Sequence, residues 1–186
     1  MELRIGILGC SGTGKSVLAE RLSLEFSVPF LPSKDVTNCI LGRDGYDYGS
    51  GQQVEKFLAT RERQQEILSR TRDQQWGGSF VTDRTSVDLA AYAILEMGEG
   101  EGVSRYVDFC REMVSIYTHL FFCPWHSRSL KDNNKRTLDP WYQFAVHSVQ
   151  LGVVDFFGAK IYHLISEDLD GRVCEIGKVL SEGSSL

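Results

Sequence analysis

Short apolar runs alternate along this chain with longer stretches of helical periodicity. Leu3 to Leu8 is a short, largely apolar run that predicts a buried strand. Ser16 to Phe26 carries Leu18, Leu22 and Phe26 at helical spacing, and Val28 to Leu31 is a weaker second strand. Gln52 to Gln75 contains neither Pro nor Gly and predicts a long helix. Ser79 to Thr82 reads as a strand after the Gly77-Gly78 break. Thr85 to Met97 and Val103 to Tyr117 read as helices on either side of a Gly- and Glu-rich turn. His119 to Cys123 is an aromatic-rich strand, and residues 124–139 are polar, basic and irregular. Pro140 to Phe157 predicts a helix with proline at its start, where the missing N–H costs nothing. Lys160 to Leu164 is a fifth strand, Asp168 to Leu180 a closing helix, and residues 181–186 are expected to fray.

Strands alternating with helices favour an α/β fold, a parallel sheet with helices on both faces. The 186 residues suit a single domain over 1–186 with a short lid. Hydrophobic residues at 42% and charged residues at 24% exclude disorder and coiled coil as descriptions of the whole chain. A net charge of -5 excludes a uniformly basic, nucleic-acid-coating surface, though not a local basic patch. The five cysteines, Cys10, Cys39, Cys110, Cys123 and Cys174, form no C-x-x-C pair, and the four histidines show no ligand spacing. That usage suits reduced thiols in a cytoplasm, the host's if the source is viral. No apolar run approaches the length of a membrane span. Ile7-Leu8-Gly9-Cys10 superficially matches a lipoprotein cleavage box, but too few residues precede it for a charged region and an apolar segment.

The sharpest chemical signal is Gly9-Cys10-Ser11-Gly12-Thr13-Gly14-Lys15-Ser16, a G-x-x-x-x-G-K-S pattern between a predicted strand and a predicted helix. The glycines tolerate the dihedrals that let backbone N–H groups wrap phosphate oxygens. The helix after them adds its positive dipole end. Residues 9–17, through Val17, are therefore the expected triphosphate cradle. Lys15 is expected to reach the β- and γ-phosphates of ATP, and the Ser16 hydroxyl to coordinate Mg²⁺. The expected architecture is the three-layer P-loop NTPase fold, with a five-stranded parallel sheet and a short basic lid at about 124–139.

Other residues select among P-loop proteins. A GTPase needs Asn-Lys-x-Asp after a strand, and Asn134-Lys135-Arg136-Thr137 lacks the aspartate. Asp155-Phe156-Phe157-Gly158 matches D-x-x-G but ends a helix. A ring-forming motor ATPase normally needs a longer chain with a helical lid domain. A kinase accounts for Arg128, Lys131, Lys135 and Arg136, set against Asp132 and Asp139, because phosphoryl transfer needs positive charge on the migrating group and exclusion of water. An ordinary solvated loop is the alternative. Asp83 and Arg84 end the third strand, where ligands sit in parallel sheets. Asp83 can hold Mg²⁺ directly or through water, or cap the next helix, and Arg84 can bind a phosphate or the acceptor. On the long helix, Arg61 and Gln65 interrupt the face of Val54, Phe57, Leu58 and Leu68. They either read an acceptor base or phosphate, or snorkel past the core edge.

The order of elements, the phosphate loop, Thr82-Asp83-Arg84 and the Arg136 to Pro140 lid edge together resemble the thymidylate kinase and deoxynucleoside kinase group. The layout is also similar to small kinase domains related to nicotinamide riboside kinase. Thr85 stands where thymidylate kinases carry an aromatic residue or histidine, which counts against thymidylate as acceptor. The resemblance implies that Asp35, after the second strand, deprotonates or orients the acceptor hydroxyl; an ordinary loop aspartate is the alternative. It implies ATP and Mg²⁺ as cofactors and a nucleoside- or nucleotide-type acceptor. The compact layout also resembles the bacteriophage 5-hydroxymethyluracil DNA kinases, which makes a base within DNA the second acceptor. A nucleotide-binding switch that hydrolyses ATP slowly is a third reading. No membrane partner is expected, and a homodimer is left open.

Overall fold

The computed structural model describes residues 2–32, 78–97, 100–125 and 139–182. Within them the order is β1 (Arg4–Leu8), α1 (Lys15–Phe26), β2 (Phe30–Leu31), β3 (Phe80–Thr82), α2 (Ser86–Met97), α3 (Glu101–Met113), a 3₁₀ turn (Val114–Ile116), β4 (His119–Phe122), α4 (Pro140–Phe157), β5 (Tyr162–His163) and α5 (Leu169–Glu182). The strands form one sheet in the order β2-β3-β1-β4-β5, and every described pairing is parallel. β1 is central, pairing Ile5 with Val81 on one side and with His119 on the other. All carboxyl ends therefore open on one edge, with the loop after β1 at its middle.

Side-chain alternation along the central strands divides the core in two. Ile5, Ile7 and Phe121 pack on the α1 and α5 face with Leu18, Leu22 and Ile176. Leu8, Leu120 and Phe122 pack on the opposite face with Val87, Ala90, Cys110, Val153 and Phe157 from α2, α3 and α4. Fully burying one such aliphatic or aromatic side chain stabilises by about 1.5–3 kcal/mol. Gly6 on β1 faces the second of these clusters at close range. A Cβ there would lie 2.7 Å from both Leu120 Cδ2 and Thr85 Cγ2 and 2.8 Å from a Tyr117 ring carbon. Its bare backbone lets the start of α2 settle onto the sheet.

α4 begins as its sequence suggests: Pro140 occupies the first turn, the Asp139 carboxylate accepts from Trp141 N at 2.9 Å, and Gly158 closes the helix at φ 64°. The closing element from Asp168 to Leu180 is present as α5, shifted by one or two residues. The helix predicted from Val103 to Tyr117 instead starts at Glu101, where an acidic first turn complements the helix dipole, and tightens into the 3₁₀ turn at Val114. The second and fifth strands are shorter than predicted, since both are edge strands paired on one side only. The long helix expected from Gln52 to Gln75 and most of the 124–139 lid lie outside the described residues.

Candidate active site

β1 ends at Leu8 and α1 begins at Lys15, so residues 9–14 form the connecting loop. Its first residue packs against β4. A Cβ on Gly9, whose φ is 140°, would lie 2.5 Å from the Cys123 carbonyl oxygen, which only glycine avoids. The loop is braced internally by Thr13 Oγ1 donating to Cys10 O at 3.0 Å and by Lys15 Nζ donating to the same oxygen at 2.7 Å. α1 has neither a capping side chain nor an acidic residue in its first turn, which leaves its positive end available to an anion. Burial pushes the Lys15 ammonium below the ordinary lysine value; the nearby Asp88 opposes this and Arg84 adds to it. The Cys10 side chain points into the core, and burial raises its thiol to about 11 despite the pull of Lys15. Cys10 thus lends the loop its backbone rather than its sulfur. Val17 is exposed on the outer face of the first helical turn.

Directly opposite the loop stands the end of β3. The buried Asp83 accepts a short hydrogen bond from the Ser16 hydroxyl. Arg84 follows, with its guanidinium 5.1 Å from the centre of the Tyr92 ring. The Thr82 hydroxyl donates to Arg84 O at 2.7 Å, which fixes the turn between strand and helix. The helix cap considered for Asp83 is supplied by other residues. Thr85 precedes the first turn of α2, and Asp88 Oδ2 accepts from both Thr85 N and Thr85 Oγ1 at 2.8 Å, in the manner of a capping box. Lys15, Ser16, Asp83 and Arg84 are thereby brought together. Asp35, Arg61, Gln65, Arg128 and Arg136 lie outside the described residues.

Four residues around the loop had no place in the sequence expectations. Asp88 Oδ1 accepts from Gly9 N and from Gln150 Nε2, each at 3.0 Å. Burial pushes its carboxyl up, against the pull of Lys15 and Arg84. Gln143 Oε1 accepts from Ser11 N at 3.1 Å. Arg172 of α5 is buried, donating through Nη1 to Thr13 O at 2.6 Å and through Nε to Ser166 O at 2.9 Å. The Thr85-x-x-Asp88 spacing is that of a helix cap, a signal the sequence reading missed, and nothing local announces the bond from Gly9. Arg172 was legible only as a cation on an otherwise apolar helical stripe.

No group of three or more His, Cys, Asp or Glu side chains converges among the described residues. None of the described helices is long and apolar enough to cross a membrane. No curated protein matches the chain by sequence. Among solved structures, deoxyadenosine kinase from M. mycoides, with dCMP and dCDP bound, is similar over 97% of this chain and 100% of its own, with a TM-score of 0.71 and 13% identity. Thymidylate kinase from Candida albicans is similar over 98% of this chain and 92% of its own, with a TM-score of 0.68 and 16% identity. NadR protein in complex with NR is similar over all of this chain, which spans 51% of that protein, with a TM-score of 0.74 and 16% identity. Residues 4–172 match the family model described as an AAA domain. The chain belongs to that AAA-domain family of P-loop proteins and has the fold of the nucleoside and nucleotide kinases.

Proposed function

We propose that this protein is an ATP-dependent kinase that moves the γ-phosphate of ATP to a nucleoside- or nucleotide-type acceptor. The observation that carries this reading is the meeting of Lys15 and Ser16 with Asp83 and Arg84 across the carboxyl ends of β1 and β3. A phosphate loop alone serves many machines. A loop faced by a carboxylate and an arginine has both a donor wall and a wall for the transferring group.

The residues fit a magnesium ion. Ser16 and Asp83 are hard oxygen donors already within hydrogen-bonding reach of one another. Mg²⁺ is usually held by one or two such groups together with substrate phosphates, rather than by a cage of protein ligands. When bound, it would neutralise charge on the triphosphate. The chain's own residues do the remaining work. Loop amides and the α1 terminus hold the phosphates, Lys15 turns from the Cys10 carbonyl to the β- and γ-oxygens, and Arg84 balances charge on the acceptor side. The acceptor oxygen attacks phosphorus as the bond to the ADP oxygen breaks. The hydroxyl proton passes to a carboxylate, the role that the resemblance to related kinases implies for Asp35. Arg61 and Gln65 for the acceptor, and Arg128 and Arg136 for the migrating phosphoryl group, are proposed from their places in the sequence.

The test is direct. Purified protein with Mg²⁺ and γ-labelled ATP is offered nucleosides, nucleotides and hydroxymethyluracil-containing DNA. Label on a free nucleoside or nucleotide supports the proposal. Label on DNA alone moves the acceptor into the polymer, and slow phosphate release without any transfer reduces the protein to a nucleotide switch. Lys15→Ala should lower transfer by roughly 100-fold or more, the scale seen when a transition-state donor is removed.

A further inference from the structure

The buried face of α4 carries two glutamines among its apolar residues. Gln143 and Gln150 lie two helical turns apart, about 10 Å along the axis, and so share a side of the helix. They are 1% and 0% exposed. Gln143 accepts directly from the Ser11 amide. Gln150 donates to Asp88, which in turn accepts from the Gly9 amide. The Gln150 carbonyl oxygen is buried with no hydrogen-bond partner among the described residues. Such an orphan costs stability, and an apolar residue of similar volume would avoid it. What the glutamine provides at this position is the single bond to Asp88.

A bound triphosphate would bring its terminal phosphate toward residues 9–11, because the lysine expected to reach it already rests on this limb of the loop. Lys15, the group that reaches the β- and γ-phosphates, touches the Cys10 carbonyl in this same limb. Two of its three amides are held from outside the loop, one by α4 directly and one by α2 through Asp88.

We propose that Gln143, Gln150 and Asp88 are positioning residues that brace the Gly9–Ser11 limb, so that the protein discriminates a triphosphate from a diphosphate. They act through the loop backbone rather than by touching the nucleotide. The inference rests on the loop being the ATP site of the proposed kinase.

Binding of a non-hydrolysable ATP analogue and of ADP, each with Mg²⁺, is measured by calorimetry on the full chain. Gln143→Met keeps the volume and removes the acceptor. It should weaken the ATP analogue by about 3- to 10-fold, the value of one lost hydrogen bond, while ADP changes by less than about twofold. Gln150→Met should show the same asymmetry. Should Gln143→Met fail to fold, Gln143→Asn withdraws the oxygen by one methylene in a gentler variant with the same expected signature. Equal weakening of both nucleotides would mark the glutamines as packing residues and overturn the proposal, as would unchanged binding of both. Because the readout is binding, the comparison stands whether or not an acceptor is found.

Discussion

Replacing Arg172 with methionine tests whether the phosphate loop is held from beneath by α5. Methionine keeps the aliphatic bulk inside the core and removes the guanidinium. The arginine makes two bonds to carbonyl oxygens, at 2.6 Å to Thr13 and 2.9 Å to Ser166. A hydrogen bond from a charged donor contributes about 1.5–3 kcal/mol, so the pair has a gross value of roughly 3–6 kcal/mol. Two effects reduce it. Both contacts are only partly buried, so water can replace part of what is lost, and the variant no longer buries a charge. A net loss of about 2–4 kcal/mol is expected, a substantial share of the 5–15 kcal/mol that holds a typical domain together. The assay is urea unfolding followed by far-UV circular dichroism, comparing midpoints at equal slope. Arg105→Met is the control: it removes an exposed ion pair with Glu101 and should barely move the midpoint. Arg172→Lys should fall between, because one ammonium cannot reproduce the two-pronged contact. A loss below about 1 kcal/mol for Arg172→Met would refute the anchoring role, since it is less than a single charge-assisted bond contributes.

Gly9→Ala should cost about 1–3 kcal/mol or more and abolish nucleotide binding, because the new Cβ lands 2.5 Å from the Cys123 carbonyl; normal stability by thermal melt would contradict this. The lowered Lys15 value has a definite sign. The empty folded protein releases this proton below the ordinary 10.5, so its stability rises with pH through the window between the lowered value and 10.5. Bound phosphates restore the charge, so ATP binding in that window should take up a proton, read as a dependence of calorimetric heat on buffer ionisation enthalpy; its absence would restore an ordinary lysine. In a Cys39→Ser background only the exposed Cys174 should react with a thiol reagent in the native state, because burial raises Cys10 to about 11 and Cys110 to about 12 and also raises Cys123. Rapid loss of three or four thiols would show that the loop opens.

The parts legible in the sequence are those with local causes. Phosphate-binding glycines, an apolar strand before them and a helical repeat after them place Lys15 and Ser16 without reference to any other segment. Asp139-Pro140 announces the start of α4, and Gly158 its end, because caps are chosen by neighbouring backbone groups. Asp83 and Arg84 could be placed by their position after a strand. Contacts across long separations were not legible. Asp88 reads as the third residue of a capping box, and its bond to Gly9 spans 79 positions. Gln143 looks like one polar residue near a helix start until the fold sets it beside Ser11, 132 positions away. The edge strands are shorter than their apolar runs, because those runs continue after the hydrogen-bonding partner has ended.

A missing carbon on β1 lets the start of α2 lie close against the sheet. Gly6 lies within β1, before the loop begins, yet any side chain there would act as a shim between the sheet and the start of α2, pressed against Thr85, Leu120 and Tyr117. The turn carrying Asp83 and Arg84 would rise with that helix, and so would the carboxyl that holds Gly9. The gap between the loop after β1 and the turn after β3 would widen although every named side chain remained in place. If the proposed kinase reading holds, selection on activity would treat Gly6 as part of the site, and a designer wanting a wider cleft there could use that position as a spacer.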